Sequence, residues 1–116
     1  MATVSIRLDL GPDIRVGPGK IRLLELVAEQ GSISGAGRAL GMSYRRAWLL
    51  IADLNRSFPG PVVAAQPGGR SGGGATLTVF GARLVAAYRD IEREADAIAV
   101  RRLAELATRD DEPATT

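Results

Sequence analysis

The side chains best suited to a chemical role form a run of four, Ser43 to Arg46, in the stretch "GMSYRRAW". A serine just before an amphipathic pattern predicts a helix N-cap, so Tyr44, Arg45 and Arg46 fall in the first turn of a helix. An arginine fork donates parallel hydrogen bonds to a phosphate or to O6 and N7 of guanine, and tyrosine stacks or hydrogen-bonds. The Ser43 hydroxyl lies where the helix dipole favours an anion. Two arginines on an exposed helix, taken alone, indicate only a solvated surface. Whether they bind a ligand therefore depends on the structural elements around them.

One helix is predicted over "KIRLLELVAEQ", with Leu23, Leu24, Leu26 and Val27 inward and Gly31 at its end. After it, the pattern predicts two helices joined by a tight turn. Ser32 caps the earlier helix, whose apolar and small residues recur at helical spacing, and Gly41 ends it. The later helix begins after Ser43, and its predicted buried face consists of Ala47, Ile51 and Leu54. A three-residue turn that contains glycine is typical of the helix-turn-helix motif, whose second helix enters the DNA major groove.

This motif assigns DNA contacts to both helices. The first crosses the backbone and contributes Ser34 and Arg38, while the second contributes Ser43, Tyr44, Arg45, Arg46 and Leu49. The helical wheel turns Leu49 outward, where it either touches a thymine methyl or helps to cover the core. The single tryptophan, Trp48, is expected to be a structural anchor, because a lone tryptophan in a small domain usually serves packing.

Two further patterns complete a winged helix-turn-helix. The opening "TVSIRLDL" alternates as a half-buried strand does, and "VVAAQ" and "ATLT" flank "PGGRSGGG" as the strands of a hairpin flank its tip. That tip is the predicted wing, with Arg70 and Ser71 placed to reach DNA. It lacks the Gly-Lys-Ser/Thr ending of a P-loop, which argues against nucleotide binding.

The last predicted helix runs from a cap at Thr78 to about Thr108 and spans roughly 40 Å, too long for this domain to cover. Its apolar seam is expected to form a homodimer, through Leu84, Tyr88, Ile91, Ala95 and Ile98. The fold class is thus α+β and mostly helical. We expect a winged helix-turn-helix domain over residues 1–78, a dimerisation helix over 79–108 and a disordered tail over 109–116.

Composition narrows the function classes. The chain of 116 residues has no cysteine and no histidine, which disfavours an enzyme and a metal site, and we expect no cofactor. Residues 1 to 75 hold nine Lys and Arg against five Asp and Glu, a basic excess that favours a polyanion such as double-stranded DNA. Nothing resembles a signal peptide or a membrane span, so we expect no membrane partner and a location in the bacterial cytoplasm, at the nucleoid.

A family resemblance rests on "GSIS…A…GMSY…AW…I…LN" followed by "GGRSGGGATLT…G…L". Over about residues 3 to 95 the chain resembles the DNA-binding domain of the ModE family, molybdate-responsive bacterial transcriptional regulators, itself similar to the winged-helix domain of LysR-type regulators. The resemblance implies a homodimer on a palindromic operator and a link to molybdenum metabolism. Family members continue into oxyanion-binding modules. Because this chain stops at Thr116, we expect that it does not bind molybdate tightly by itself.

One alternative stays open from the residues alone. A winged-helix scaffold could serve as a protein-interaction module, docking its long helix onto another regulator without reading DNA. Arg45, Arg46 and Arg70 favour the DNA-binding interpretation, because an interaction module has no need for basic groups on both the helix and the wing.

Overall fold

The order of elements in the computed structural model, which describes residues 3–69 and 72–110, confirms the α+β winged helix-turn-helix with a long C-terminal helix. In chain order the elements are β1 Leu8–Gly11, β2 Ile14–Val16, α1 Pro18–Gln30, α2 Ile33–Ala39, α3 Tyr44–Ser57, β3 Val63–Gly69, β4 Gly72–Leu77 and α4 Val79–Asp110. The strands form two separate antiparallel hairpins, β1 with β2 and β3 with β4.

The N-terminal segment is only partly a strand. The alternating pattern over residues 3–10 predicts one strand, but β1 begins at Leu8 and pairs with β2, which the pattern did not predict. Before β1 the chain lies against α4 instead: the Val4 amide donates to Asp96 Oδ1 at 2.6 Å, and the Tyr88 hydroxyl donates to the Ile6 carbonyl at 2.6 Å. Leu10, expected on the inner face, is 51% exposed. The alternation thus arises mostly from packing on a helix.

The three short helices begin and end where the sequence predicts. Gly31 adopts a left-handed conformation with φ 70° at the end of α1, and Gly41 does the same after α2. Gly37 lies where α2 crosses α3, and a Cβ built on it would stand only 3.1 Å from the Ala47 Cβ. The small residues of α2 therefore allow the close crossing. All of the predicted inward residues of α1 and α3 are buried: Leu23, Leu24, Leu26, Val27, Ala47, Ile51 and Leu54.

The wing hairpin is fixed to the helices by hydrogen bonds at its base. The Ala75 amide of β4 donates to the Gly31 carbonyl at 2.9 Å, and Ala75 is buried. On the other strand, Asn55 Oδ1 at the end of α3 accepts from the amides of Val62 and Val63 at 2.8 and 3.2 Å. The direction of β3, and hence of the wing, follows from the position of α3.

The long helix α4 begins with the predicted cap, since Thr78 Oγ1 accepts from the Gly81 amide at 2.9 Å. It ends at Asp110, two residues beyond the predicted helix end at residue 108, and the rest of the predicted tail, 111–116, lies outside the described residues. The described chain extends 74 × 27 × 22 Å because the distal part of α4 projects from the body. The predicted domain division at residue 78 stays a prediction.

Candidate nucleic-acid interface

The N-terminus of α3 presents its cationic residues freely. Ser43 caps the helix, its Oγ accepting from the Arg46 amide at 3.1 Å, which confirms the predicted cap. Arg45 and Arg46 are exposed, and neither forms an ion pair with an acidic residue in the described ranges. Tyr44 is 58% exposed beside them. Two unpaired guanidinium groups at the positive end of a helix dipole form a ready anion-binding surface.

The exposed face of α3 continues beyond this first turn. Because 3.6 residues make one turn, Arg45, Leu49, Ala52 and Arg56 lie along one stripe, opposite the buried Ala47, Ile51 and Leu54. Leu49 is 48% exposed. Beside the stripe a shallow hollow of about 320 Å³ is lined by the polar and apolar residues Ser43, Arg45, Arg46, Leu49, Leu50 and Asp53.

One carboxylate lies at the edge of this basic face and is neutralised. Lys20 Nζ of α1 donates to Asp53 Oδ2 at 3.0 Å and to the Arg15 carbonyl at 2.8 Å, and Arg56 approaches Asp53 at 3.7 Å. The role of Lys20 could not be predicted from the sequence, because no local pattern brings it to a residue 33 positions later. The pairing keeps the electrostatic potential of the α3 face positive.

The flank of α3 nearer to the wing carries an aromatic pair. Trp48 is 49% exposed, so it lies at the rim of the core, and its position on the helix turns it towards α2 and the wing. Its expected role as a structural anchor stays a prediction. It lines a hollow of about 260 Å³ with Tyr44, Ser34 and Ala65, among others. Ser34 is half-buried in this hollow, and Arg38 is exposed on α2. The two wing residues predicted to contact DNA, Arg70 and Ser71, lie outside the described residues.

The motif matches a known family. The sequence profile of the bacterial regulatory helix-turn-helix proteins of the lysR family matches residues 19–82, more than half of the chain. The chain belongs to this LysR family. Its fold is accordingly that of a DNA-binding transcriptional regulator, a class defined by binding and not by catalysis.

Curated relatives of this LysR-family chain confirm the resemblance to ModE. The molybdenum-pterin-binding protein MopA of Rhodobacter capsulatus is 47% identical over 78 residues, which are 67% of this chain and 29% of MopA. The molybdenum transport protein ModE of Azotobacter vinelandii is 40% identical over 94 residues, 81% of this chain and 34% of that protein. The DNA-binding transcriptional dual regulator ModE of Escherichia coli K12 is 37% identical over 87 residues, which are 75% of this chain and 33% of that protein. The chain thus spans about a third of the relatives it matches.

The predicted seam of this LysR-family chain divides into two parts along α4. Leu84 and Tyr88 pack against the core of their own chain, and Tyr88 is only 1% exposed, so it offers little surface to a second copy. Further along, Ile91 and Ile98 are 40% and 49% exposed, with Ala95 half-buried between them. Leu103 and Leu106, 51% and 55% exposed, lie further along α4 and do not follow the spacing of the predicted seam.

An ionic cluster joins α4 to α1. Arg89 Nη2 and Nε donate to Glu25 at 2.8 and 3.0 Å, and Arg89 Nη1 donates to Glu92 at 2.6 Å. Hydrogen bonds from Arg89 hold the pKa of Glu25 below its ordinary value of 4.5 despite partial burial, and the two carboxylates raise the pKa of Arg89. The pKa of Tyr88 is raised by burial and by the nearby charge of Glu92. The cluster thus links α4 directly to α1.

In the parts of the chain that the structure describes, two further classes of site are absent. There, no group of three or more acidic side chains converges on a point where a metal ion could bind. Among the same residues, none of the helices combines the length and the apolar character needed to cross a membrane.

Proposed function

We propose that this chain is a sequence-specific transcriptional regulator that binds a palindromic operator as a homodimer. The observation that carries the proposal is the pair of exposed guanidinium groups of Arg45 and Arg46 at the start of α3, which pair with no acidic residue in the described ranges. They are framed by a helix-turn-helix that a regulator family shares. A helix placed in this way reads base edges with its first residues. A protein that acts on chromosomal DNA works in the bacterial cytoplasm, at the nucleoid.

A pair of variants that change the net charge equally tests whether Arg45 recognises the DNA sequence. Arg45→Ala and Arg102→Ala each remove one positive charge, but Arg102 lies on the distal part of α4 with Glu105 at 3.7 Å. In fluorescence anisotropy against an operator selected from random duplexes, Arg45→Ala is expected to cost about 1–3 kcal/mol and to relax the preference at one base position. Arg102→Ala should leave operator affinity nearly unchanged. Equal losses of operator affinity in the two variants would show that binding depends on net charge alone.

A docking module that does not read DNA is the alternative function, and the same assay separates the two. If Arg45 and Arg46 serve a protein partner, the chain selects no preferred duplex from the random pool at low salt. The regulator proposal requires enrichment of one sequence with inverted symmetry, because a two-fold protein dimer matches a two-fold operator.

We infer that the homodimer forms through the exposed part of the seam on α4, from Ile91 to Ile98. Ile98 and Val100 are both exposed apolar residues, at 49% and 40%, and two residues apart on a helix they face about 200° from each other. Ile98→Glu should therefore yield a monomer in sedimentation velocity, while Val100→Glu stays dimeric. The reverse result would place the interface on the opposite side of α4.

We propose further that the regulated genes belong to molybdenum metabolism, a link supported by the names of the relatives. Duplexes taken upstream of molybdate-transport genes in the source genome should bind more tightly than shuffled duplexes of the same composition. Equal affinity for both sets would remove this part of the proposal and leave the DNA-binding part in place.

A further inference from the structure

The middle of the exposed α3 face is apolar. A surface that contacted only phosphates would need cationic and polar side chains there and no apolar ones. Leu49 is 48% exposed and Trp48 beside it 49%, and Ala52 lies one turn further along. Leu50 packs against the hydrophobic core, whereas Leu49 is not among the residues that do. The large apolar side chain of Leu49 is thus exposed at the centre of the stripe, while Trp48 lies on the flank of α3 nearer to the wing.

The basic residues at both ends of this stripe indicate what covers it. Arg45 and Arg56 are eleven residues apart, about 16 Å along the helix axis, which is comparable to the 12 Å width of the DNA major groove. Arginines at that separation reach the two sides of the groove while the residues between them face the base edges. Charge complementarity at both ends therefore favours nucleic acid over an apolar protein partner.

Within the major groove one base offers an apolar group. The C5-methyl of thymine projects into the groove, while guanine, cytosine and adenine present hydrogen-bond donors and acceptors there. The Leu49 side chain has neither donor nor acceptor and would leave such polar edges unsatisfied. The chemistry of the stripe therefore selects a methyl group.

We propose that Leu49 is a specificity-determining residue that reads thymine through its C5-methyl in each operator half-site. The inference rests on the proposed regulator function, because it needs α3 in the major groove. Arg45 and Arg46 then recognise phosphate or guanine nearby, and Leu49 adds a requirement for thymine at a defined distance from them.

Replacing single thymines by uracil tests this directly, because uracil pairs identically and lacks only the methyl. In the selected operator, uracil at one position of a half-site should weaken binding about fourfold, the effect of uncovering one buried methyl group. In Leu49→Ala the same replacement should have almost no effect. Leu10→Ala is the matched control, since Leu10 is 51% exposed on β1 and is not part of the α3 stripe, and its variant should keep the full sensitivity.

Each outcome of the uracil experiment either supports or contradicts the inference. If every thymine tolerates uracil while the operator is still preferred over scrambled DNA, the thymine reading by Leu49 is wrong and the regulator proposal survives. If one thymine is sensitive and stays equally sensitive in Leu49→Ala, another group reads that methyl and the inference is also wrong. If the chain prefers no sequence at all, the proposed function fails and this inference with it.

Discussion

Replacing Gly81 by alanine should destabilise the protein, although alanine is the better helix former. Gly81 is buried in the first turn of α4, where the helix abuts the segment that leads into β3. A Cβ built on Gly81 would stand 2.1 Å from the Val62 carbonyl oxygen and 2.9 Å from its carbonyl carbon. The atoms that a new methyl group at position 81 would meet thus belong to the backbone of Val62. This backbone is held in place because Val62 accepts from the Thr78 amide at 3.0 Å and donates its own amide to Asn55 Oδ1.

The magnitude follows from two opposing terms. Alanine in place of glycine in a helix gains up to about 1 kcal/mol. Overpacking a rigid contact costs about 1–3 kcal/mol, occasionally more, and a clash with backbone more than 1 Å inside normal contact lies at the upper end of that range. We expect Gly81→Ala to lower the free energy of unfolding by about 2 kcal/mol, the difference between the two terms.

A second glycine supplies the control, because it occupies the same part of another helix without the obstacle. Gly19 lies in the first turn of α1, and a Cβ built on it meets nothing within 4 Å. Gly19→Ala should raise the free energy of unfolding by about 0.4–1 kcal/mol. Both are measured by urea unfolding followed by circular dichroism at one protein concentration, since a dimer's stability depends on concentration. A Gly81→Ala protein as stable as Gly19→Ala would refute the packing argument.

Three more predictions follow from the site and its supports. Lys20→Met should weaken DNA binding at low salt by up to about 1 kcal/mol, because it leaves Asp53 less neutralised beside the α3 face, and adding Asp53→Asn should restore the affinity measured by anisotropy. Because the folded-state pKa of Glu25 is lowered, its pair with Arg89 contributes stability above about pH 4.5 that is lost as the pH falls through the folded-state value. Urea midpoints at pH 6 and pH 3.5 should therefore differ less in Arg89→Met than in the parent protein. Calorimetry with molybdate and tungstate should show no binding tighter than about micromolar, since no polar side chain is buried in the described ranges to form a converging anion site, and one tightly bound ion per chain would contradict this.

Local chemistry made the helix-turn-helix predictable. Serine caps at 32 and 43 and left-handed glycines at 31 and 41 act within a few residues, so the sequence pattern contains their full cause. The predicted buried residues of α1 and α3 were found because one apolar face per helix suffices to identify them. The same periodicity predicted that Tyr44, Arg45 and Arg46, in the first turn of α3, are exposed.

Long-range partners were not predictable in this way. Residues 3–7 alternate as a strand does, but α4 supplies their contacts, through atoms more than eighty positions away in the chain. Tyr88 fits the apolar spacing of a dimer seam and is instead buried in its own chain, because the N-terminal segment covers it. The half-exposure of Trp48 was not predictable either, since the residues beside it come from α2 and from the wing.

The central claim is that the α3 face binds duplex DNA with sequence preference, and a salt titration of the wild-type chain tests it most directly. Anisotropy with the selected operator and with a scrambled duplex should give affinities that both fall steeply as salt rises, because each arginine–phosphate contact releases a counterion. The operator should remain tighter by about a thousandfold or more at physiological salt. Identical affinities for the two duplexes at every salt concentration, or no binding at low salt, would contradict the account.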